Sequence, residues 1–464
     1  MSEVVTPPAG SRSAWKWLTL ADVGKIITGN TPPTADAENY GDAIPFVKPT
    51  ELVDRGIRSA PSGLAPQAMG KARVVPTGAV LVSCIGNLGK TGIAKVPVAF
   101  NQQINAVVFN ENVIPEFGFF YVQTLKPWLY GESSATTIPI VNKGKFQQAR
   151  FPLASLDEQR EIVAELEKQF SRLDEAVANL HRVKGNLKRY KASVLKAAVE
   201  GRLVETEATQ ARRERRTYET GEQLLQRILE ERRAKWVGKS RYSEPDVPAA
   251  TELPTLPDGW TWSAFGFLGA DPHNTVQTGP FGAQLHNTDF VASGVPVIAV
   301  GNLTGTGFKR EGLYFIKPEK AAQLSRYDIW SGDILFARSG ATLGKVCVAP
   351  SDVSDWRMTG HILRARLNRA FLNPDIAVYA LSSLPAVTTQ IFGSVRGVTR
   401  PGFNTSLLES VWVPVPPMAE QVRIIAEVDR HLSIIREVEV EVDATLQRAQ
   451  ALRQATLAKA FSAI

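Results

Sequence analysis

Two stretches of this sequence decide its fold: LDEQREIVAELEKQFSRLDEAV at residues 156–177 and MAEQVRIIAEVDRHLSIIREVE at residues 418–439. A single shift, from position 156 to position 418, aligns them without a gap, so that Glu158-Gln159 meets Glu420-Gln421. The same shift carries Asn142 onto Asn404. Because self-similarity at a fixed shift is the signature of a duplicated unit, the chain is predicted to be built twice.

Both stretches are predicted to begin long helices that pack on each other. Apolar residues recur in each at alternating steps of three and four, which is the seam of a coiled coil. The seam positions are Val163, Leu166, Phe170, Leu173, Leu180 and Leu187 in the first helix, and Ile425, Val428, Leu432, Ile435, Val442 and Leu452 in the second. No proline lies between Pro152 and Pro245. A helix of about 45 residues, about 67 Å long, is therefore allowed in the first half.

Each helix follows a mixed domain rich in short strands. Runs of Val, Ile and Phe, such as AVLVSCI and DILFA, alternate with Gly, Pro and Asn turns, and two short helices are predicted near Phe117–Leu125 and Pro374–Leu381. The fold class is thus predicted as α+β, with an internal repeat. The expected segments are a tail (1–14), a first mixed domain (15–151), a first helix (152–201), a basic connector with a short helix (202–258), a second mixed domain (259–413) and a second helix (414–464).

Composition excludes several classes of protein. With 44% hydrophobic and 21% charged residues, the chain is typical of a soluble globular protein. No run approaches the ~18 apolar residues of a membrane span, and MSEVVTPPAGSRS is no secretory signal. Cys84 and Cys347 cannot build a disulfide framework, and five scattered histidines match no metal-binding spacing. We expect a reduced, cytoplasmic protein without a metal.

The net charge of +7 is concentrated in one window. Residues 182–241 hold 17 Lys and Arg against 8 Glu, whereas the remainder of the chain is slightly acidic. Such a block favours contact with phosphates or with an acidic partner, although a solvated helix face gives the same pattern. Of the two kinds of contact, we favour the partner for Arg212, Arg213, Arg215 and Arg216.

No catalytic constellation is present in the sequence. The stretch GNLGKTG from Gly86 is similar to a phosphate-binding loop, but a true loop of that kind needs glycine where Cys84 stands, so a tight turn between strands is predicted. The second copy, GATLGKV, lacks the hydroxyl residue after Lys345. Nucleophile elbows and methyltransferase or nuclease motifs are also absent. A binding or scaffolding protein is therefore expected.

The duplication and the helix motifs resemble the specificity subunit of type I restriction-modification systems. The residues that carry the resemblance are FPLASLDEQREIVAELEKQFSRLDEAV with KRYKASVLKAAVEGRL, and VPVPPMAEQVRIIAEVDRHL with LRQATLAKAF. The stretch NQQINAVVF and the two G-x-x-GK turns also match. The resemblance covers essentially the whole chain from Trp15.

This resemblance implies a subunit that binds double-stranded DNA and does no covalent chemistry itself. Its two mixed domains would be target-recognition domains, each reading one half of a split target, and its helices would form an antiparallel coiled coil that sets the gap. Two modification subunits would methylate adenine with S-adenosylmethionine, and restriction subunits would join with ATP and Mg. No cofactor is expected on this chain.

Candidate DNA-contacting residues are Arg, Lys, Asn and Gln side chains in or beside Gly- and Pro-rich turns. Arg and Lys read guanine, Asn and Gln read adenine, and Lys holds phosphates. The candidates are Lys48, Lys90, Gln102, Asn105, Lys143 and Lys145 in the first domain, and Gln284, Arg338, Lys345, Arg396, Arg400 and Asn404 in the second. Asn142 and Asn404 are equally suited to cap a following helix.

Two other functions remain open from the sequence. The nearly neutral mixed domains also suit a coiled-coil scaffold that joins two protein-binding modules without nucleic acid. An enzyme with unrecognised catalytic residues would reveal itself by methyl transfer from the isolated chain.

Overall fold

The structure, a computed structural model, describes residues 15–134, 137–237, 242, 253–280, 282–393 and 403–462. The chain divides into two compact units: unit 1 comprises residues 1–183 and 441–464, and unit 2 comprises residues 184–440. In the described ranges no single helix is long and apolar enough to cross a membrane; Pro374–Ser383 and Pro385–Gly393, bent by 69°, reach that length only as a pair.

Unit 1 is built on three sheets. Its short elements are β1 (Lys16–Thr19), α1 (Leu20–Val23), β2 (Gly24–Thr28), β3 (Tyr40–Val47), β4 (Arg55–Ile57), β5 (Gly63–Leu64), β6 (Val74–Val75), β7 (Val80–Ser83), β8 (Thr91–Ala94), β9 (Val98–Phe100), β10 (Ile104–Phe109), α2 (Pro115–Thr124), α3 (Lys126–Glu132), α4 (Lys143–Gln147) and β11 (Arg150–Leu153). The strand orders are β1-β11, β2-β10-β7-β8-β4 and β5-β3-β9-β6. Strands β7 and β8 are buried throughout, and β7 lies in the predicted apolar run AVLVSCI.

Between the first sheets and the second, the chain forms one long and two short helices. They are α5 (Leu156–Val199), α6 (Glu207–Glu214) and α7 (Gly221–Ala234). The short helix predicted in the connector corresponds to α7, whereas α6 was not foreseen.

Unit 2 repeats the architecture of unit 1. Its elements are β12 (Thr261–Ala264), β13 (Val276–Thr278), β14 (Phe290–Val291), β15 (Val295–Ile298), β16 (Tyr314–Ile316), α8 (Pro318–Gln323), β17 (Asp328–Ile329), β18 (Ile334–Ala337), β19 (Val346–Val348), β20 (Trp356–Met358), β21 (Ile362–Ala365), α9 (Pro374–Ser383), α10 (Pro385–Gly393), α11 (Thr405–Glu409) and β22 (Trp412–Val415), followed by α12 (Met418–Phe461). The strand orders are β12-β22, β13-β21-β18-β19 and β14-β16-β15-β20-β17.

The strand orders match apart from one additional edge strand in each unit, β4 in unit 1 and β14 in unit 2. The predicted repeat is therefore confirmed for the mixed domains as well as for the helices. In both units the first strand pairs antiparallel with the strand that precedes the long helix. In both, an equivalent parallel pair, β3–β9 or β15–β20, lies within an otherwise antiparallel sheet, and unit 1 has a second parallel pair, β4–β8, at the edge of another sheet. The predicted α+β class is confirmed.

The two long helices run antiparallel inside each unit. In unit 1 the Arg453 guanidinium lies 4.2 Å from the centre of the Phe170 ring and donates to Asp174 at 3.1 Å, while Val177 lies beside Ala449 in a small cavity. The partner number falls as the number on α5 rises. In unit 2 the Tyr190 hydroxyl meets His431 at 2.9 Å.

Eleven of the twelve predicted seam positions are buried or half-buried, and one is exposed. Leu166, Phe170, Val428, Ile435 and Val442 are buried. Leu452 is 57% exposed, and the positions that pack inward near it are Ala449, Arg453 and Leu457. Arg453 occupies the seam there with its guanidinium over the Phe170 ring, so the apolar pattern gave the wrong position.

The Glu-Gln pair at the start of each long helix joins that helix to its mixed domain. Gln159 is fully buried; its carbonyl accepts from the Ile114 N–H at 2.8 Å, and its amide donates to the Asn112 and Ala154 carbonyls at 2.9 and 3.0 Å. Gln421 does the same in unit 2, with the Asn373 N–H at 2.9 Å and the carbonyls of Phe371 and Pro416 at 3.1 and 3.0 Å.

Candidate nucleic-acid interface

The stretches GNLGK and GATLGK form equivalent hairpin turns, the second longer by one residue, so the predicted turn between strands is confirmed. In unit 1 the turn joins β7 to β8, and the Ser83 N–H donates to the Lys90 carbonyl at 2.9 Å. In unit 2 it joins β18 to β19, and the Ala337 N–H donates to the Lys345 carbonyl at 2.8 Å. Gly89 and Gly344 have φ of +74° and +87°, which explains the glycine before each lysine.

In each unit, a short helix with an asparagine N-cap begins next to the hairpin turn. The Val141 N–H donates to the Cys84 carbonyl at 2.9 Å in unit 1, and the Phe403 N–H donates to the Arg338 carbonyl at 2.8 Å in unit 2. Asn142 then caps α4 by accepting from the Lys145 N–H, and Asn404 caps α11 by accepting from the Leu407 N–H. For Asn404 the cap accounts for the residue without any DNA contact.

The candidates of the first domain fall into exposed and buried groups. Lys48 and Gln102 are exposed; the Lys48 ammonium donates to Ser62 at 3.2 Å, and the Gln102 side-chain oxygen accepts from Thr31 at 2.7 Å. Lys90 is half-buried in its turn.

Lys143 and Lys145 lie exposed on the first turn of α4. The Lys145 ammonium donates to the Glu132 carbonyl oxygen at 2.8 Å.

Asn105 does not have the displayed position that the sequence suggested. It lies within β10, is only 3% exposed, and accepts from the Thr28 hydroxyl at 2.7 Å. Its amide is part of the sheet interior, because a buried polar group requires a partner there. The expectation of a turn-borne Asn105 is therefore wrong.

Two candidates of the second domain, Arg338 and Lys345, lie on the turn between β18 and β19. Gln284 is exposed and accepts from the Tyr327 hydroxyl at 2.8 Å. Arg338 donates to the Thr278 hydroxyl at 2.9 Å, and Lys345 is half-buried at the end of the turn. Arg396 and Arg400 lie outside the described residues.

Arg338 lines a cavity of about 690 Å³, here called the unit 2 cleft. Burial lowers the pKa of the Arg338 guanidinium below its ordinary value. The cleft is bounded by Pro280, Gly282, Leu285, Asn287, Phe290, Ala299, Val300, Gly301, Tyr314, Arg338, Ser339, Thr359, Gly360 and His361. It combines a cation and small polar groups with aromatic and glycine walls, which suits a polar planar ligand.

Sequence reasoning missed several residues of this cleft. His361 contacts the Ser339 hydroxyl at 3.2 Å, and the rings of Phe290 and Tyr314 stack with centres 4.7 Å apart. His361 is the counterpart of Gln103 in the stretch NQQINAVVF, so the repeat contained a signal for His361. The correspondence of positions 103 and 361 follows from the backbone hydrogen bonds and not from the ungapped repeat.

Several arginines of the basic connector form ion pairs with acidic residues of unit 2. Arg213 pairs with Glu205 at 2.7 Å and Arg216 with Glu207 at 2.5 Å, while Arg212 meets Asp258 at 3.2 Å. Whether this surface also contacts DNA or a partner stays a prediction. Within the described residues, no group of three His, Cys, Asp or Glu side chains is arranged to hold a metal ion.

Comparison with known proteins gives one consistent result. A family model, the type I restriction modification DNA specificity domain, matches residues 12–180 and again residues 285–444. The EcoBI specificity subunit of Escherichia coli is 23% identical over 97% of this chain and 85% of its own length. The EcoDI specificity subunit of the same organism is 23% identical over 96% of this chain and 88% of its own length.

A solved structure shares the fold. It comes from work on complex assembly and conformational transition of the type I restriction-modification system, with a TM-score of 0.66 and 18% identity over 98% of this chain and 99% of the other. With the family model matching both halves, the chain belongs to the type I restriction-modification DNA specificity family, whose members are non-catalytic specificity subunits of methyltransferase and endonuclease complexes.

Proposed function

We propose that this chain recognises a bipartite DNA target, with one half-site bound by each mixed domain. The observation that carries the proposal is the duplication: two domains whose strand orders match apart from one edge strand each lead into a long helix through an equivalent buried glutamine. Two similar readers in one chain suit a target with two separate halves, as paired DNA-binding modules do elsewhere.

The long helices would set the distance between the half-sites. A helix of 44 residues is about 66 Å long, and half-sites on one face of B-DNA lie about 34 Å apart. The antiparallel pairing supports a stiff element rather than a flexible linker, because the two helices contact each other within each unit.

The proposed partners are two modification subunits and the restriction subunits. The relatives are named as subunits of type I restriction enzymes, which supports assembly of this chain with such partners. S-adenosylmethionine, ATP and Mg would be bound by the partner subunits, and this chain would bring only DNA recognition and docking surfaces. A cytoplasmic location accords with a DNA substrate inside the cell.

The direct test is to express the chain with its modification and restriction partners and to map N6-methyladenine in the host DNA. A methylated bipartite motif with a fixed gap, lost when this gene is deleted, is the expected result. Methylation that persists unchanged after deletion would contradict the proposal and favour the protein-scaffold alternative.

A second measurement separates DNA binding from scaffolding. Retention of target DNA by the assembled complex should weaken steeply with added salt, because each neutralised phosphate releases a counterion. A complex that assembles but retains no DNA at low salt would identify the chain as a scaffold only.

A further inference from the structure

The backbone around the cleft is the same in the two units, although the side chains differ. The Cys84 N–H donates to the Gln103 carbonyl at 2.8 Å in unit 1, and the Arg338 N–H donates to the His361 carbonyl at 3.1 Å in unit 2. Cys84 directly follows β7, and Arg338 directly follows β18; these are the first strands of the two hairpins. These bonds equate position 84 with 338 and position 103 with 361.

The neighbouring parallel strand pair gives the remaining correspondence. The Asn101 N–H donates to the Val47 carbonyl at 3.1 Å, and the Thr359 N–H donates to the Ile298 carbonyl at 2.9 Å. The residues that follow are therefore equivalent: Lys48 with Ala299, and Gln102 with Gly360. Lys48 and Ala299 indeed both begin a short 3₁₀ turn in the same conformation.

The polar side chain stands at a different one of these equivalent backbone positions in each unit. Unit 2 has Arg338 lining the cleft, where unit 1 has Cys84, a buried thiol. Unit 1 has the exposed Gln102, where unit 2 has Gly360 and thus no side chain. A guanidinium therefore marks one domain and a carboxamide marks the other.

Hydroxyl groups hold both side chains in place. Thr278 accepts from the Arg338 guanidinium at 2.9 Å, and Thr31 donates to the Gln102 carbonyl oxygen at 2.7 Å. A supported side chain loses less conformational entropy on binding than a mobile one. Both residues are thereby suited to reading base edges rather than to loose contact with phosphates.

The geometry points to a division of base reading between the units: Arg338 reads a guanine in one half-site, and Gln102 reads an adenine in the other. This inference rests on the proposed function. Arginine forms paired hydrogen bonds with O6 and N7 of guanine, and glutamine does so with N6 and N7 of adenine, in the major groove. The two half-sites then differ in sequence, and each difference is assigned to one residue.

The test uses the full chain assembled with its modification subunits. Arg338→Gln is expected to relax one guanine of one half-site, with discrimination at that base falling roughly 5- to 150-fold, and to leave the other half-site unchanged. Gln102→Ala should relax one adenine in the opposite half-site by a similar factor. Both are read from the methylated motif and from competition binding with single-base variants of the target.

Arg369→Gln is the matched control. Arg369 is exposed and lies beyond the C-terminal end of β21. His361, which lines the cleft, directly precedes the first residue of that strand. It should leave the motif unchanged. Arg338→Lys keeps the positive charge but loses the paired geometry, so it should relax the same guanine as Arg338→Gln.

The outcomes separate this inference from the function on which it rests. A bipartite wild-type motif that survives Arg338→Gln and Gln102→Ala at every base overturns the division of reading and leaves DNA recognition standing. A wild-type complex without a bipartite motif overturns both. If Arg338→Gln does not assemble, Gln102→Ala and Arg338→Lys still decide the matter.

Discussion

At the scale of single residues, the buried glutamine after each helix start has more structural weight than its polarity suggests. Gln421 is 1% exposed and satisfies one N–H and two carbonyls from two separate stretches of unit 2. Replacing it with alanine leaves these groups buried without partners. Each buried donor or acceptor that loses its partner costs about 1–3 kcal/mol.

We expect Gln421→Ala to lower the free energy of unfolding of unit 2 by about 2–3 kcal/mol. Hydrogen–deuterium exchange of peptides that cover residues 371–373 and 416–421 measures the effect where it arises. Gln447→Ala, at an exposed position on the same helix, serves as the control. Equal exchange in the two variants would show that the buried bonds do not hold the helix to the domain.

A second residue-scale feature is the buried carboxylate of Glu207. It pairs with Arg216 at 2.5 Å and Arg423 at 2.7 Å, and its own N–H donates to Glu420 at 2.8 Å. Burial alone raises the pKa of Glu207, but the hydrogen bonds from both arginines outweigh it and leave the pKa below the ordinary 4.5. Burial raises the pKa of Glu420.

The lowered pKa of Glu207 predicts a pH dependence with a definite sign. The folded state favours the ionised carboxylate, so its stabilisation is present above pH 4.5 and is lost as the pH falls further. Glu207→Gln should therefore be less stable than the wild type at pH 7, and the difference should shrink below pH 4.5. Urea unfolding midpoints across this range give the measurement, with exposed Glu222→Gln as control. A difference that is independent of pH would contradict the assignment.

At the scale of elements, the start of α11 separates a structural role from a DNA contact. Asn404 caps this helix, and serine caps nearly as well as asparagine, whereas alanine does not. We expect Asn404→Ala to cost about 1 kcal/mol of stability and Asn404→Ser only a few tenths, with the methylated motif unchanged in both. Thermal unfolding and motif mapping test the two halves of this statement. A relaxed motif in the stable Asn404→Ser variant would restore Asn404 as a base-reading residue.

Elements with a strong local pattern could be predicted from the sequence, and the contacts between distant segments could not. The helices Leu156–Val199 and Met418–Phe461 follow from apolar periodicity and the absence of proline. Leu452 was misassigned because Arg453, which is counted as charged, occupies the seam with its guanidinium over the Phe170 ring. Asn105 was misassigned because its partner, Thr28, lies 77 residues away. The cleft was missed for the same reason, since its walls come from segments far apart in the chain.

At the scale of the whole molecule, the proposed function assigns the gap between half-sites to the paired helices. Three heptads, or 21 residues, inserted after Val183 in α5 and before Glu441 in α12 would lengthen both by about 31 Å and keep the seam on the same faces. That length is close to the 34–36 Å of one turn of DNA, so both domains would again face the same side of the duplex.

We expect this double insertion to lengthen the gap of the methylated motif by about nine or ten base pairs, without changing either half-site. A single heptad in both helices adds about 10 Å and turns the half-sites away from each other around the duplex, so methylation should fall rather than shift cleanly. Insertion into α5 alone removes the antiparallel match and should abolish assembly. If the gap keeps its wild-type length after the 21-residue insertion, the helices do not set it, because a stiff pair of that added length cannot place its two ends at the original separation.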